Sequence, residues 1–254
     1  MYEFQSEGFF GYGEMGDFSY WSPAHLIPIF LLLAAITATF RFRESIASLK
    51  HEGRFRAALS FAIFLSESSY YWRVLYAGSG HADEPNLLLM LPLQVCEWGA
   101  ICAIFMLLTE NKTLFNFNYY LTVLSVAACI TPGVIMTTGP SYFRYYQYWG
   151  EHMLPIYAVC YMMAVRGLRP DYKGLWKTIF ALILLSIPCV IANRNIPGAS
   201  YMYLSGETYG DTFASMIPGG MFEKYLIFFV ITVSLFHIEY FIARKLFREE
   251  SHGL

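Results

Sequence analysis

The sequence predicts an all-α fold, a polytopic bundle of seven transmembrane helices with the N-terminus outside and the C-terminus in the cytoplasm. Three observations lead there. Of 254 residues, 56% are hydrophobic and only 14% are charged, and mean hydropathy is +0.42. A soluble domain carries about 25% charged residues, so too few ionisable groups are present to cover a water-facing surface. Apolar stretches of roughly the 20 residues needed to cross the hydrocarbon core recur along the chain. Finally, Lys and Arg concentrate in alternate connections, which sets orientation.

Seven segments follow in order, at 22–40, 55–76, 87–108, 116–137, 143–165, 174–193 and 219–243. Together they make a single integral membrane domain, 1–254. The second carries Glu67 and Arg73, the seventh Glu223 and His237, and Pro132 is a possible early end for the fourth. Basic residues fill the first loop (Arg41, Arg43, Lys50, Arg54, Arg56), the fifth (Arg166, Arg169, Lys173, Lys177) and the tail (Arg244, Lys245, Arg248), and Lys112 lies in the third. The acidic start (Glu3, Glu7, Glu14, Asp17) and the stretch 77–86 contain no Lys or Arg. An odd number of crossings accounts for that alternation, and places the long loop at about 195–218 outside.

Composition also excludes some functions. A net charge of −2 gives no case for a nucleic-acid partner. Cys96, Cys102, Cys129, Cys160 and Cys189 form no CxxC pair, so neither a disulfide framework nor a zinc knuckle is expected. The acidic N-terminus is unlike the basic start of a cleavable signal peptide.

Ionisable groups within membrane helices are costly and mark function. At about 1.5 Å per residue, Cys96 in the third segment, His152 in the fifth and Glu67 in the second reach a similar depth. A thiol, an imidazole and a carboxylate at one level have the makeup of an activated thiolate site, in which the base takes the thiol proton and the acid orients the base. The plainer readings are a Cys that packs as a small hydrophobe, a His that bonds across helices and a Glu67 paired with Arg73. A second polar group lies nearer the outside: His25, Arg73, Arg144, Asn193, Arg194 and Glu223. Arginine there suits a phosphate headgroup, although for Arg144 and Lys224 snorkelling to the interface is the expected role. In the long loop, Tyr201 and Tyr203 suit either the bundle mouth or an ordinary aromatic belt.

Leu91-Pro92-Leu93-Gln94-Val95-Cys96 resembles the LPLxxC motif of the YwaF-like (transmembrane protein 164) family. His25, Glu67, Thr131-Pro132, the aromatic run Tyr145 to His152, and Asn193 ahead of Tyr201-Met202-Tyr203-Leu204 follow in the family's order, so the resemblance covers most of the chain. Gln94 and Ser200 stand where the family often has His and usually has Asn, which points to a different substrate. The resemblance implies lipid acyl chemistry: Cys96 as nucleophile, His152 as its base, and a phospholipid or lysophospholipid as partner. A more distant likeness is to the androgen-induced membrane hydrolases, which pair Thr with His. The expectation is therefore a membrane phospholipid acyltransferase, transacylase or lipid hydrolase working through a thioester, without cofactor or metal, in a bacterial plasma membrane. Gln94 and Asn193 are candidate oxyanion donors, and His25, Arg73, Arg194, Tyr201 and Tyr203 candidate substrate contacts. Two rivals remain: a non-enzymatic transporter or receptor-like binder of a small polar or lipid ligand, and a metal site built from His25, His152, Cys96 and Glu67.

Overall fold

The computed structural model describes residues 8–11, 18–77, 87–132, 135, 138–203 and 221–250. The described residues are helical, without strands: α1 (Pro23–Arg41), α2 (Arg43–Ala47), α3 (Glu52–Ala77), α4 (Val95–Thr109), α5 (Lys112–Ile130), α6 (Phe143–Val165), α7 (Tyr172–Asn195) and α8 (Met221–Glu250), with short 3-10 turns at Leu87–Met90 and Tyr201–Tyr203. Local sequence explains many of the boundaries. Ser22 caps α1, with Pro23 in its first turn, Asn111 accepts from the Thr113 and Leu114 N–H groups at the start of α5, and Asp171 accepts from Gly174 at the start of α7. Each side chain satisfies N–H groups that a helix start leaves open. The expected segment 116–137 is shorter at its far end: α5 stops at Ile130, because Pro132 lacks an N–H and disfavours helical backbone in the residue before it.

Among the described residues, four helical stretches are long and apolar enough to cross a membrane: Pro23–Arg41, Lys112–Ile130, Tyr172–Asn195 and Tyr225–Phe247. α3 and α6 have the length, at 26 and 23 residues, but carry the charged groups described below. The outward faces are apolar. Phe30 and Leu31 on α1, Phe61 and Trp72 on α3, Phe180 and Ile191 on α7, and Val230 and Phe241 on α8 are all exposed. So continuous an apolar surface suits hydrocarbon rather than water.

α6 is the central post, packing against α1, α2, α3, α4 and α5, while α8 rests at the edge on α5 and α7. The burial of α6 extends around its circumference, so neighbouring positions such as Glu151 and His152 are both buried. Close approach is achieved with glycine. A Cβ on Gly150 would lie 2.5 Å from Ser66 Oγ and 3.3 Å from Ser66 Cβ on α3, and one on Gly174 would lie 2.2 Å from Asn116 Cγ on α5. Gly150→Ala is expected to lower stability by about 1–3 kcal/mol, the usual cost of overpacking. Thermal melting should record the loss, with partial recovery when Ser66→Ala is added.

The end of the bundle formed by the start of α3 and the ends of α4 and α6 is tied by ion pairs. Arg56 pairs with Glu52 at 3.0 Å and with Glu110 at 2.9 Å, and Arg166 pairs with Glu110 at 2.7 Å. Tyr161 donates to Glu52 at 2.8 Å. The opposite end holds the candidate site.

Candidate active site

The site begins with a break in the chain. The sequence reading expected one helix over 87–108, with Cys96 about ten residues into it. Instead, the turn at Leu87–Met90 ends before Pro92, and α4 starts afresh at Val95. Proline disfavours helical backbone at Leu91 and supplies no N–H of its own. A capping box restarts the helix, the Gln94 N–H donating to Glu97 Oε2 at 2.7 Å. Cys96 is therefore the second residue of α4, in the turn whose backbone N–H groups have no acceptor within the helix and where the helix dipole favours negative charge.

His152 and Glu151 reach this turn from α6. One ligand-type atom from each of Cys96 (Sγ), Glu151 (a carboxylate oxygen) and His152 (a ring nitrogen) lies within 4.8 Å of the other two. His152 Nδ1 donates to the Tyr148 carbonyl at 2.9 Å, with donor and acceptor assigned from that contact. This fixes the neutral ring as the Nδ1–H tautomer and leaves Nε2 with its lone pair. Glu151, 8% exposed, accepts from Gln147 Nε2 at 2.9 Å and pairs with Arg144 at 3.2 Å. Arg144 also bonds Gln147 Oε1 and lies over the Tyr70 ring at 4.7 Å.

Two expectations change here. The carboxylate beside the thiol and imidazole is Glu151 rather than Glu67. Glu67, on α3, interacts with Glu151 and Arg144 through charge. Arg144 is not snorkelling: its side chain is 14% exposed and neutralises Glu151. Sequence reasoning did not single out Glu151, which adjoins His152 about 100° around the helix. The available signal was the i, i+3, i+7 spacing of Arg144, Gln147 and Glu151, which places all three on one stripe.

Several proposed substrate contacts serve the scaffold instead. Both ring nitrogens of His25 are engaged, Nδ1 accepting from the Trp21 N–H at 3.0 Å and Nε2 donating to the Cys129 carbonyl at 2.9 Å. The ring also stacks on Trp149 at 5.9 Å. A metal set of His25 with Cys96, His152 and Glu67 is accordingly not assembled, whereas Cys96, Glu151 and His152 do converge although no metal ligands were expected. Arg73 is buried and donates to the Gly11 carbonyl at 3.0 Å. Arg194 is exposed on the last turn of α7.

Asn193 clamps the Tyr201 backbone from both sides, donating to its carbonyl at 3.0 Å and accepting from its N–H at 2.7 Å. The Tyr201 hydroxyl in turn donates to the Leu88 carbonyl at 2.6 Å and accepts from the Leu91 N–H at 3.0 Å. Gln94 Oε1 accepts from the Met202 N–H at 3.0 Å, and the Cys189 thiol donates to the Leu93 carbonyl at 3.3 Å. The Asn193–Met202 region thus holds the non-helical stretch that aims Cys96. One of the two N–H donors of Asn193 is committed to this clamp. The side chain of Tyr203, the rest of the expected external loop and the 77–86 connection beyond Ala77 lie outside the described residues. Removing two part-buried hydrogen bonds costs about 2 kcal/mol. Asn193→Ala should therefore lower the melting temperature and speed amide exchange at Tyr201 and Met202.

A family model, the TMEM164 family, matches residues 20–240. The chain belongs to the TMEM164 family. The match takes in every helix of the site, from His25 on α1 to Tyr201 beyond α7. In this TMEM164-family chain the LPLxxC-like run and the Tyr-Met-containing run meet through the Tyr201 and Met202 bonds, between residues 110 and 108 apart in sequence. No curated protein and no solved structure matches the chain.

Proposed function

We propose that this TMEM164-family protein is an integral membrane phospholipid acyltransferase or transacylase that works through a thioester on Cys96. The observation that carries the reading is the convergence of Cys96 Sγ, His152 and Glu151 within 4.8 Å at the start of α4. His152 Nε2 takes the thiol proton as Sγ attacks the carbonyl carbon of a phospholipid acyl ester. The bond between that carbonyl carbon and the glycerol oxygen then breaks, and the departing glycerol oxygen receives the proton from His152, releasing lysophospholipid. A second lysophospholipid hydroxyl gives its proton to His152, attacks the thioester and returns the thiol. Tyr148 holds the imidazole through Nδ1, and Glu151 stabilises its cationic form. Backbone N–H groups in the first turn of α4 are the donors best suited to the oxyanion.

In the same reading the seven helices α1 and α3–α8 each cross the bilayer, with the N-terminus outside and the C-terminus in the cytoplasm. Two facts support this. Side-chain contacts put the starts of α1, α4 and α6 at one end of the bundle with the ends of α3, α5 and α7, and the basic segments fall at the opposite end. A charged interior also suits a transporter or receptor-like binder, so the test separates the two. The protein in nanodiscs is incubated with a phospholipid bearing an alkyne-tagged acyl chain. The expected result is a hydroxylamine-sensitive tag on the Cys96 peptide, absent in Cys96→Ser. No tag on wild-type protein, together with ligand-dependent stabilisation that survives Cys96→Ser, would replace the enzyme with the binder.

A further inference from the structure

The geometry points to a second occupant for the same cluster: a thiophilic divalent cation of the zinc class, bound by Cys96 Sγ, Glu151 and His152 Nε2, which withholds the thiol from chemistry. This deepens the acyl-transfer reading by adding regulation to its site. The donor set is a sulfur, a nitrogen and an oxygen, a combination zinc accepts with three protein ligands and one open position. Ligand atoms around tetrahedral zinc stand about 3.5 Å apart. The three here lie within 4.8 Å of one another, so side-chain adjustment of about an ångström closes the shell.

The surroundings match what orients metal ligands elsewhere. A ligating His gives its other ring N–H to a carbonyl or carboxylate, and a ligating carboxylate is itself hydrogen-bonded. His152 Nδ1 is held by the Tyr148 carbonyl at 2.9 Å, and Glu151 by Gln147 at 2.9 Å and Arg144 at 3.2 Å. Charge is largely offset too. On binding, the thiol proton leaves to solvent as the metal–sulfur bond forms, and the dication, one thiolate and one carboxylate leave only the charge of the Arg144 already paired with Glu151. Such a complex is far less costly to bury than an unpaired dication.

The test uses the full-length protein in nanodiscs, freed of metal by a chelator and titrated with zinc or, for its spectrum, cobalt(II). One equivalent of cobalt should produce a near-ultraviolet sulfur-to-metal charge-transfer band, which binding to surface carboxylates does not give. Zinc should slow maleimide alkylation of Cys96, mapped by mass spectrometry, by about tenfold or more, with chelator reversing it. Cys96→Ser should abolish the band, and Gln147→Ala should weaken binding by about 10–100-fold. Cys102→Ser should leave both signals intact. A folded wild-type protein with no charge-transfer band and an unchanged Cys96 alkylation rate overturns the inference. If that protein still forms the hydroxylamine-sensitive thioester, the acyl reading stands alone. If zinc protects Cys96 but the metal-free protein forms no thioester, the metal site stands and the acyl reading falls.

Discussion

Cys96→Ala is expected to reduce acyl exchange between labelled phospholipids by roughly 10⁴-fold or more, and His152→Ala by a similar factor. The double variant should be little worse than either single one. Cysteine and histidine act as a unit in one proton transfer and one bond-forming step, so removing the first partner leaves the second with no reaction to assist. The initial rate of radiolabelled acyl transfer in nanodiscs, compared across the three variants, measures this. Independent effects that multiply would mean that the two side chains do not share a step. Melting curves distinguish loss of chemistry from loss of fold, since Cys96→Ala removes one partly buried sulfur and leaves the capping box of Gln94 and Glu97 in place.

The largest stability effect is expected for Arg144→Ala. Arg144 is the cation paired with Glu151 at 3.2 Å, with side chains 14% and 9% exposed. Taking one partner from a buried ion pair leaves an uncompensated charge and costs about 3–5 kcal/mol. Thermal unfolding should shift sharply downward, if the variant accumulates at all. Adding Glu151→Gln removes the orphaned charge while keeping a hydrogen-bonding side chain, and should recover much of the loss. The double variant would still be impaired in acyl exchange, because the group that stabilises the His152 cation is gone. Failure of Glu151→Gln to restore stability would mean that the contacts of Arg144 with Gln147 and the Tyr70 ring, not the ion pair, carry its contribution.

Particular residues mark where sequence reasoning reached the site and where it stopped. Cys96 and His152 were accessible because polar side chains in an otherwise apolar chain are conspicuous and their depth follows from helix rise. Glu67 was singled out by its depth and Glu151 was not considered, and depth contains no information about azimuth; only the packing of α6 on five neighbours turns the Glu151 face inward. His25, Asn193 and Tyr201 looked like ligand contacts for the same reason they are structural: each is a polar group in an apolar setting, and sequence cannot say whether the partner is a substrate or a backbone carbonyl.

The sequence by itself determined the all-helical, membrane-embedded character of the protein, because composition and apolar run length act locally and need no partner. It offered Pro132 as an early end for the fourth segment, drawn to 137, and the observed stop at Ile130 follows that backbone rule. Only the tertiary structure decided that α4 restarts at Val95 and so presents Cys96 in a helix's first turn. Pro92 permits that break, but the bonds from Tyr201, Met202 and Cys189 hold it, and they arrive from about 100 residues away. The tertiary structure alone also brought Glu151, anchored by Arg144, to the thiol, since which side of a buried helix faces which neighbour is settled by packing.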